Sequence, residues 1–499
     1  MVRLRTRAPL LGVLLLQAVL TVGLARSAQS AEAASLYGGH RLLDDLFADR
    51  PLDDNYDAYF PGLPYLYPVA AAWIDGGGGL AAARALSLAC ALAATWLVHA
   101  TAARLGDERC AFFAAALFGL SAPALCSGDL ATPDAPALLM LAAALFCAVR
   151  SADRESASTP APVFAFLAVV LAYPAWLFVL PVAAAETALA APLLGVRRAL
   201  RRGALFLLWT AVPVTGVLFL TGWYDRSSIL SGIAGALGRG GGQSAAEVAA
   251  WAVDCTGAVT LLGLLGAVRY ARTADPVHGR PDATRTALAA VLAAGALLAP
   301  LAALWHRSAG SLETRGAFGL LFAALPAGLL LGRLTRHRTR SALLAVGLLA
   351  TAAATAGWVS QELVAGHPDA RALTAYLRPD ADPPAAILAE NAVLPRYYLY
   401  PDPVHAAVVS TSYMLPYTTA AGRRLTGPAA YRQAIEDRRF TRIVFDYRES
   451  PEQNRRLAAL LAPNGYRLAR TFPFHDTAYS AVPFDFPSTD GAFAVWERR

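Results

Sequence analysis

Long apolar runs recur along the first 360 or so residues of this chain, and they constrain its fold more than any other feature. A run of about 18 or more apolar residues is long enough to cross the hydrocarbon core of a bilayer as a helix. Only 16% of the 499 residues are charged and the mean hydropathy is +0.42. Water-soluble domains average about 25% charged residues. The sequence therefore predicts a polytopic α-helical membrane protein.

The arginines lie in short loops between the apolar runs, where they indicate which side of the membrane each loop faces. The net charge of +7 is therefore no sign of a nucleic-acid partner. Three arginines precede the first run, residues 8–25, so we expect an uncleaved first helix with a cytoplasmic N-terminus; the alternative is a cleaved signal peptide. Basic clusters at 197–202, 269–285 and 333–340 also lie on the cytoplasmic side in this prediction.

These clusters predict about eleven helices, an odd number that places the C-terminal portion outside the cytoplasm. The spans after the first are expected at about 78–103, 110–126 and 134–149, two within 161–195 that turn near Tyr173-Pro174, then 204–222, 250–269, 286–304, 316–332 and 342–358.

From about residue 360 the composition becomes typical of a soluble domain. Short β-rich runs, TRIVFDY and GAFAVWE, alternate with helical patterns at 428–437 and 451–462. We therefore predict a transmembrane domain over residues 1–358 and an extracytoplasmic α/β domain over residues 359–499.

A polar, acidic and aromatic loop, residues 27–77, separates the first two predicted spans and is expected to contain amphipathic helices. Glu32 and His40 lie near its start. The aspartates between residues 44 and 57 are interpreted mostly as a solvated face. The aromatic residues are interpreted as interfacial side chains first and sugar-stacking surfaces second; they are Tyr59, Phe60, Tyr65 and Tyr67.

Polar side chains from distant parts of the chain lie at the predicted outer ends of helices. Asp134 opens the fourth span, where a carboxylate is costly without a role, although it also suits the positive end of a helix dipole. The cations at this level are Arg84, His306, Arg307 and Arg315. A carboxylate can take a proton from an acceptor hydroxyl while cations hold a lipid-linked phosphate as leaving group. No metal-ligand spacing is visible, so neither a metal nor another cofactor is expected.

Six segments carry a resemblance to a known superfamily: AEAASLYGGH (31–40), YFPGLPYLYP (59–68), ARALSL (83–88), TPDA (132–135), SLETRGAFG (311–319) and ENAVLPRYY (390–398). In this order and spacing they resemble the GT-C superfamily of membrane glycosyltransferases. The resemblance is to the group that uses polyprenyl-phosphate sugars, with protein O-mannosyltransferases and lipid A aminoarabinose transferases, and particularly to its multi-pass actinobacterial members. It implies inverting transfer of a sugar from polyprenyl phosphate to an acceptor outside the cytoplasm, in the cell membrane.

The resemblance also implies roles for single residues. The first-loop Asp-Glu pair aligns on Ala31-Glu32, so Glu32 takes the role of base, or Asp44 or Asp45 replaces it. The second-loop acid aligns on Asp134, and a later Lys-His pair aligns on Thr314-Arg315, which keeps one cation. Catalytic roles are therefore expected for Glu32 and Asp134. Substrate-binding roles are expected for His40, Arg84, His306, Arg307, Arg315, Glu390, Tyr397 and Tyr398.

Two alternatives stay open. A catalytically degenerate protein of the same fold, acting as a glycan- or lipid-binding or scaffold protein, is consistent with alanine at position 31. A transporter would show paired internal repeats and ionisable residues at mid-helix depth, and neither is visible in the sequence. The expected partners are a polyprenyl-phosphate sugar, membrane lipids and an acceptor that is a protein, a lipid or a polysaccharide.

Overall fold

The computed structural model of the chain describes residues 8–21, 27–48, 65–151, 160–224, 242–273, 281–335, 339–378, 386–400, 409–411, 417–448 and 451–499. The chain divides into two compact units. The first comprises Met1–Leu24, Leu42–Val364 and Tyr479–Phe486. The second comprises Ala25–Arg41, Ala365–Ala478 and Pro487–Arg499.

The first unit is built mainly from helices, with the start of α2 counted in the second unit. In chain order these are α1 (Ala8–Thr21), α2 (Ser30–Ala48), α3 (Leu66–Leu105), α4 (Glu108–Gly119), α5 (Ala122–Asp129), α6 (Asp134–Ser151), α7 (Ala161–Leu171), α8 (Trp176–Leu194), α9 (Val196–Tyr224), α10 (Ala245–Ala252), α11 (Ala258–Arg272), α12 (Asp282–His306), α13 (Leu312–Leu334) and α14 (Thr339–Ala365). A π-helical turn, Val253–Gly257, joins α10 to α11.

Among the described residues, seven helical segments are long and apolar enough to cross a membrane, or eight if the bent pair α4–α5 is one span. The two helices of that pair meet at an angle of 61°. Helices α1 and α7 are apolar but shorter. The prediction of a polytopic helical membrane protein is therefore confirmed, while the total of about eleven spans stays a prediction.

Local sequence accounts for several helix breaks. Helix α3 is interrupted at Gly79, which adopts a left-handed φ of 69°, close to the predicted start of the second span. The turn predicted at Tyr173-Pro174 is present as a 3₁₀ turn, Tyr173–Ala175. The single span predicted over 110–126 is instead two helices, because the chain is extended at Ser121 and Pro123 lies in the first turn of α5.

Helix α13 lies at the centre of the first unit, where it packs against α4, α11 and α12. Most of its side chains are buried. Its neighbours approach closely because small residues face it: a Cβ atom at Gly266 would lie 2.1 Å from the carbonyl oxygen of Pro326. Contact between small residues is how helices pack tightly in a membrane. The first turn of α13 therefore belongs to a helix that is fixed by extensive packing.

A buried ion pair joins α6, α8 and α9. Arg202 Nε donates to Glu186 Oε1 at 2.7 Å, and another guanidinium nitrogen of Arg202 donates to the Ser151 carbonyl oxygen at 3.0 Å. Ser151 Oγ also donates to Glu186 Oε1 at 3.3 Å. Both charged side chains are almost fully buried, so each depends on the other for compensation.

The second unit contains an α/β domain with a five-stranded sheet in the order β2-β1-β5-β7-β6. Strand β1 is parallel to β2 and β5, whereas β7 is antiparallel to β5 and β6. Its elements are α15 (Arg371–Leu377), β1 (Ile387–Ala389), α16 (Val393–Leu399), β2 (Val409–Thr411), β3 (Tyr417–Thr418), β4 (Arg424–Leu425), α17 (Gly427–Glu436), β5 (Arg442–Phe445), α18 (Pro451–Leu461), β6 (Tyr466–Thr477) and β7 (Ser488–Arg498). Tyr431, Ile443, Phe445, Leu457 and Tyr466 are among the residues of its apolar core.

We predict that Arg202→Met lowers the free energy of unfolding by roughly 3–5 kcal/mol, because it leaves the Glu186 carboxylate buried without its counter-ion. The double variant Arg202→Met/Glu186→Leu should recover much of that loss. Arg198→Met, an exposed arginine on the same helix, is the matched control and should change stability little. Thermal unfolding of the purified protein in detergent measures all three. Equal effects of Arg202→Met and Arg198→Met would contradict a stabilising pair.

Candidate functional site

In the first unit, the start of α6 meets the first turn of α13. Thr314 Oγ1 donates a hydrogen bond of 2.7 Å to Asp134 Oδ2. Arg315 Nε lies 3.5 Å from the other carboxylate oxygen, Asp134 Oδ1, as an ion pair. Ser127 Oγ, on α5, lies 3.1 Å from the Thr314 carbonyl oxygen, to which it donates. Three helices therefore bring a carboxylate, a hydroxyl and a guanidinium together.

The side chain of Asp134 is only 10% exposed. Its two oxygens differ: Oδ2 receives the Thr314 hydroxyl, whereas no hydrogen-bond donor among the described residues reaches Oδ1. Burial of a charged oxygen without a donor is unfavourable unless a cation or a ligand compensates it. Arg315 supplies that positive charge beside Oδ1, which is itself buried.

Arg315 also lines a cavity of about 610 Å³ in the first unit, between the start of α8, the end of α12 and the start of α13. Much of its wall is apolar and includes Trp176, Phe178 and Phe318. His306, in the last turn of α12, lies in the same wall. Apolar walls with a few cationic groups suit a ligand that has an apolar chain and an anionic group.

The other cations predicted in this unit are placed differently. Arg84 is buried within α3, at 1% exposure. Arg307 ends α12 in a left-handed conformation with φ 48° and is exposed. The geometry thus joins Asp134 to Arg315, and Arg315 to the cavity that contains His306, while the roles of Arg84 and Arg307 stay predictions.

In the second unit, Glu32 is fully buried in the first turn of α2, and its Oε2 accepts the Gln29 N–H at 3.0 Å. This contact is half of a capping box, which by itself explains a glutamate at that position. His40 is buried and stacks on the ring of Tyr400, with ring centroids 4.4 Å apart. The catalytic role of Glu32 and the binding role of His40 stay predictions.

The first predicted loop is described in part. Asp44 and Asp45 lie on α2, and Asp45 is exposed. Tyr67 is buried and its hydroxyl lies 3.4 Å from Ser87 Oγ. Tyr65 packs with Leu42. Residues 49–64, with Tyr59, Phe60 and the later aspartates of the loop, lie outside the described residues.

Two carboxyl groups meet at the carboxyl ends of the parallel strands in the second unit. Glu390 follows β1, and its Oε2 accepts the backbone N–H groups of Asp446 (2.9 Å) and Tyr447 (2.6 Å). Asp446 follows β5 and is buried. Burial, and then the nearby Glu390 carboxyl, raise the pKa of Asp446 from its ordinary value of 3.8 to about 8. The pair therefore holds a proton at neutral pH and ties the turn after β5 to β1.

The predicted tyrosines lie in the same unit. Tyr398 Oη accepts the Ala28 N–H at 2.6 Å, and the rings of Tyr397 and Tyr398 are 5.1 Å apart between centroids. These contacts pack α16 against the segment before α2 and account for the two side chains structurally. Their role in substrate binding stays a prediction.

Sequence reasoning missed Ser127, Thr314 and Asp446 as parts of these clusters. In the sequence, Thr314 stands out only as the residue at the lysine position of the superfamily pattern that this chain resembles. A possible signal for Asp446 was its position directly after a β-rich run, since polar residues that follow parallel strands meet at one sheet edge. Ser127 carries no comparable signal in the sequence.

No family model matches this chain, and no curated protein matches it. Solved structures do match. The archaeal oligosaccharyltransferase AglB from Archaeoglobus fulgidus, in complex with an inhibitory peptide and a dolichol-phosphate, is 13% identical with a TM-score of 0.54, over 96% of this chain and 75% of that one. The same enzyme tethered to an acceptor peptide is 12% identical, with the same coverage and TM-score.

The arabinofuranosyltransferase AftD from Mycobacteria is 17% identical over 98% of this chain and 41% of that one, with a TM-score of 0.48. At these identities the similarity to AglB establishes the fold. This chain has the GT-C fold, and the fold expected from the sequence motifs is confirmed.

The Asp446 proton predicts a pH dependence for the second unit. The pKa of Asp446 is higher in the folded state than in the unfolded state, so the protonated carboxyl favours the folded state. Its contribution to the free energy of unfolding is complete below about pH 4 and is lost as the pH rises towards 8. Asp446→Asn should remove this slope. Hydrogen exchange of the β5 amides in the full-length protein, corrected for the intrinsic pH effect, measures it. Glu452→Gln, an exposed carboxylate on α18, is the control. An unchanged slope in Asp446→Asn would contradict the shared proton.

Proposed function

We propose that this protein is an inverting glycosyltransferase that moves a sugar from a polyprenyl-phosphate donor to an acceptor on the extracytoplasmic side of the membrane. The observation that carries the proposal is the contact of Arg315 with both Asp134 and the apolar cavity. The fold supports it, since the AglB structure of this fold is a complex with a dolichol-phosphate. In this proposal the N-terminus is cytoplasmic and the α/β domain extracytoplasmic, in the cell membrane.

Each group of the first-unit cluster has a chemical task in the proposed reaction. Asp134 takes the proton of an acceptor hydroxyl as the acceptor oxygen bonds to the anomeric carbon. The bond from that carbon to the phosphate oxygen breaks on the opposite face, and its electron pair leaves with the polyprenyl phosphate. Arg315, with His306 in the same cavity wall, compensates the charge that develops on the phosphate.

The superfamily resemblance implies Glu32 as the base, whereas this proposal assigns the proton-accepting step to Asp134 and keeps a catalytic role for Glu32. Arg84 and Arg307 are further phosphate ligands. His40, Glu390, Tyr397 and Tyr398 keep their proposed roles in substrate binding. With cations supplied by the protein, the proposal includes no metal ion.

A second candidate is a non-catalytic protein of the same fold that binds a lipid-linked glycan. Two observations favour it: alanine occupies position 31, and the Glu32 carboxylate is used to cap α2. Such a protein would bind polyprenyl phosphate in the cavity without turnover. Its partners would be the same lipids, with no transferred sugar.

The first test separates catalysis from helix stabilisation. Asp134→Asn should lower donor turnover by about 100-fold or more, because the proton acceptor is lost. Asp282→Asn is the matched control: Asp282 also opens a membrane helix, α12, but its side chain is 89% exposed. The measurement is release of polyprenyl phosphate from radiolabelled polyprenyl-phosphate mannose and polyprenyl-phosphate arabinose by protein in nanodiscs. Equal turnover in both variants would reject Asp134 as the base.

The second test concerns the cavity. Arg315→Gln should weaken binding of polyprenyl phosphate by roughly tenfold or more, because glutamine has no positive charge. Arg315→Lys should weaken it by less, because lysine keeps the charge but lacks the planar set of guanidinium donors. Tryptophan fluorescence reports binding, since Trp176 and Trp305 line the cavity. Arg272→Gln, at the far end of α11, is the control. Binding that is unaffected by Arg315→Gln would place the lipid elsewhere. Wild-type binding without turnover would favour the non-catalytic candidate.

A further inference from the structure

We propose that the segment between β6 and β7, residues 479–486, is a lipid-contacting tip. The side chains of Val482 and Phe484 insert between headgroups and acyl chains of the bilayer leaflet at the start of the α10–α11 span. The segment joins two strands of the α/β domain, yet its residues belong to the helical first unit. The inference concerns the membrane itself and does not depend on the proposed reaction.

The tip exposes apolar side chains in an unfavourable backbone conformation. Val482 is 60% and Phe484 46% exposed, and Pro483 lies between them. The Asp485 N–H donates to the Val482 carbonyl oxygen at 3.3 Å, which closes a turn, and Phe484 adopts a left-handed φ of 60°. Glycine or asparagine is the usual residue at the third position of such a turn, because a larger side chain is strained there. An exposed phenylalanine in a strained conformation indicates contact with something outside the protein.

The backbone of the tip is fixed to a membrane helix. The Phe484 N–H donates to Asp254 Oδ1 at 2.9 Å. Asp254 lies in the π-helical turn between α10 and α11. The helical segment that contains this turn, Ala245–Arg272, is long and apolar enough to cross a membrane. The exposed tip therefore lies beside a defined point of a membrane span.

Aromatic contacts hold both ends of the tip against helices of the first unit. The rings of Tyr479 and Phe486 meet the ring of Trp251, on α10, edge to face, with centroids 4.8 Å and 5.5 Å away. Phe486 also lies 5.0 Å from the ring of Trp358, on α14. Trp251 is buried, whereas Trp358 is partly exposed. Tryptophan and tyrosine are enriched where a membrane meets water, so this cluster is typical of that level.

The length of the span gives the depth of the tip. Arg272, in the last turn of α11, marks one edge of the membrane, because an arginine is unfavourable in hydrocarbon. Asp254 precedes it by about 27 Å along the helix, at about 1.5 Å per residue. The hydrocarbon core of a bilayer is about 30 Å thick. Phe484, bound to Asp254, therefore lies close to the opposite boundary of the core.

The tip also continues the lipid-facing surface of the same span. Apolar side chains that are each about half exposed follow one face of the helical segment: Val253, Leu261, Leu265 and Val268. Such a stripe on a membrane-spanning helix faces lipid. Val253 lies at the end of the stripe that is nearest the tip, and the next residue, Asp254, binds Phe484. Lipid is therefore the occupant with which the exposed tip is continuous.

The test locates the tip with a fluorescent probe and two quenchers. Val482→Cys is made in full-length protein whose partly exposed Cys90 and Cys147 are replaced by alanine, and it is labelled with a thiol-reactive nitrobenzoxadiazole. In nanodiscs, a nitroxide near the top of a lipid acyl chain quenches a probe in the leaflet, and iodide quenches a probe in water. The nitroxide should quench the probe at least about twofold more than it quenches Glu452→Cys, an exposed charged position on α18.

Leu261→Cys, on the lipid-facing stripe, is the control for a probe that iodide does not reach. Thermal unfolding confirms that each labelled variant is folded. A probe on Val482→Cys that iodide reaches as easily as it reaches Glu452→Cys would overturn the inference. Protection from both quenchers would also overturn it, because a protein surface would then cover the tip.

A second variant tests the phenylalanine without strain. Phe484→Gly, made in the Val482→Cys protein, removes the ring, and glycine adopts a left-handed conformation readily. Nitroxide quenching of the probe should then fall about twofold and iodide quenching should rise, because less apolar surface holds the tip in the leaflet. Unchanged quenching by both agents would contradict insertion of Phe484.

Discussion

The burial of the Asp134 carboxylate at the start of a membrane helix is the constraint on which the first-unit site depends. A carboxylate in an apolar environment is unfavourable unless hydrogen bonds and a counter-ion compensate it. Thr314 and Arg315 supply both, and they are consecutive residues in the first turn of α13. The site therefore depends on the packing of one helix. Close contacts such as Gly266 against Pro326 keep that helix in place.

Arg315 has two roles in this arrangement. Arg315 contacts the carboxylate and also lines the apolar cavity, so one guanidinium links the proposed base to the proposed lipid site. A guanidinium suits such a position because it keeps its charge when partly buried and presents several donors in a plane. The Glu186–Arg202 pair, by contrast, lies within the helix bundle, where each buried charge compensates the other.

The sequence predicts those features of this structure that depend on neighbouring residues, and it does not predict contacts between residues far apart in the chain. Hydrophobic run length and arginine position predict the membrane class, and Pro174 predicts the break before α8, because both effects are local. Asp134 stands out since a charge at a helix start is visible in the sequence. Its partner Thr314 lies 180 residues away and is chemically ordinary, so only the fold reveals the contact. The shared proton of Glu390 and Asp446 needed the strand order for the same reason.

The contacts also change how a departure from a superfamily pattern is interpreted. Read as a motif, Thr314-Arg315 in place of lysine and histidine is the loss of one cation. In the structure both residues contact Asp134, one through a hydrogen bond and one through charge. A hydroxyl orients a carboxylate in a way that a flexible ammonium group does not, because it has one proton and a short side chain. Replacement of the pair is therefore compatible with a site that orients its carboxylate differently, and the case for lost activity depends on alanine at position 31 and on the use of Glu32 as a helix cap.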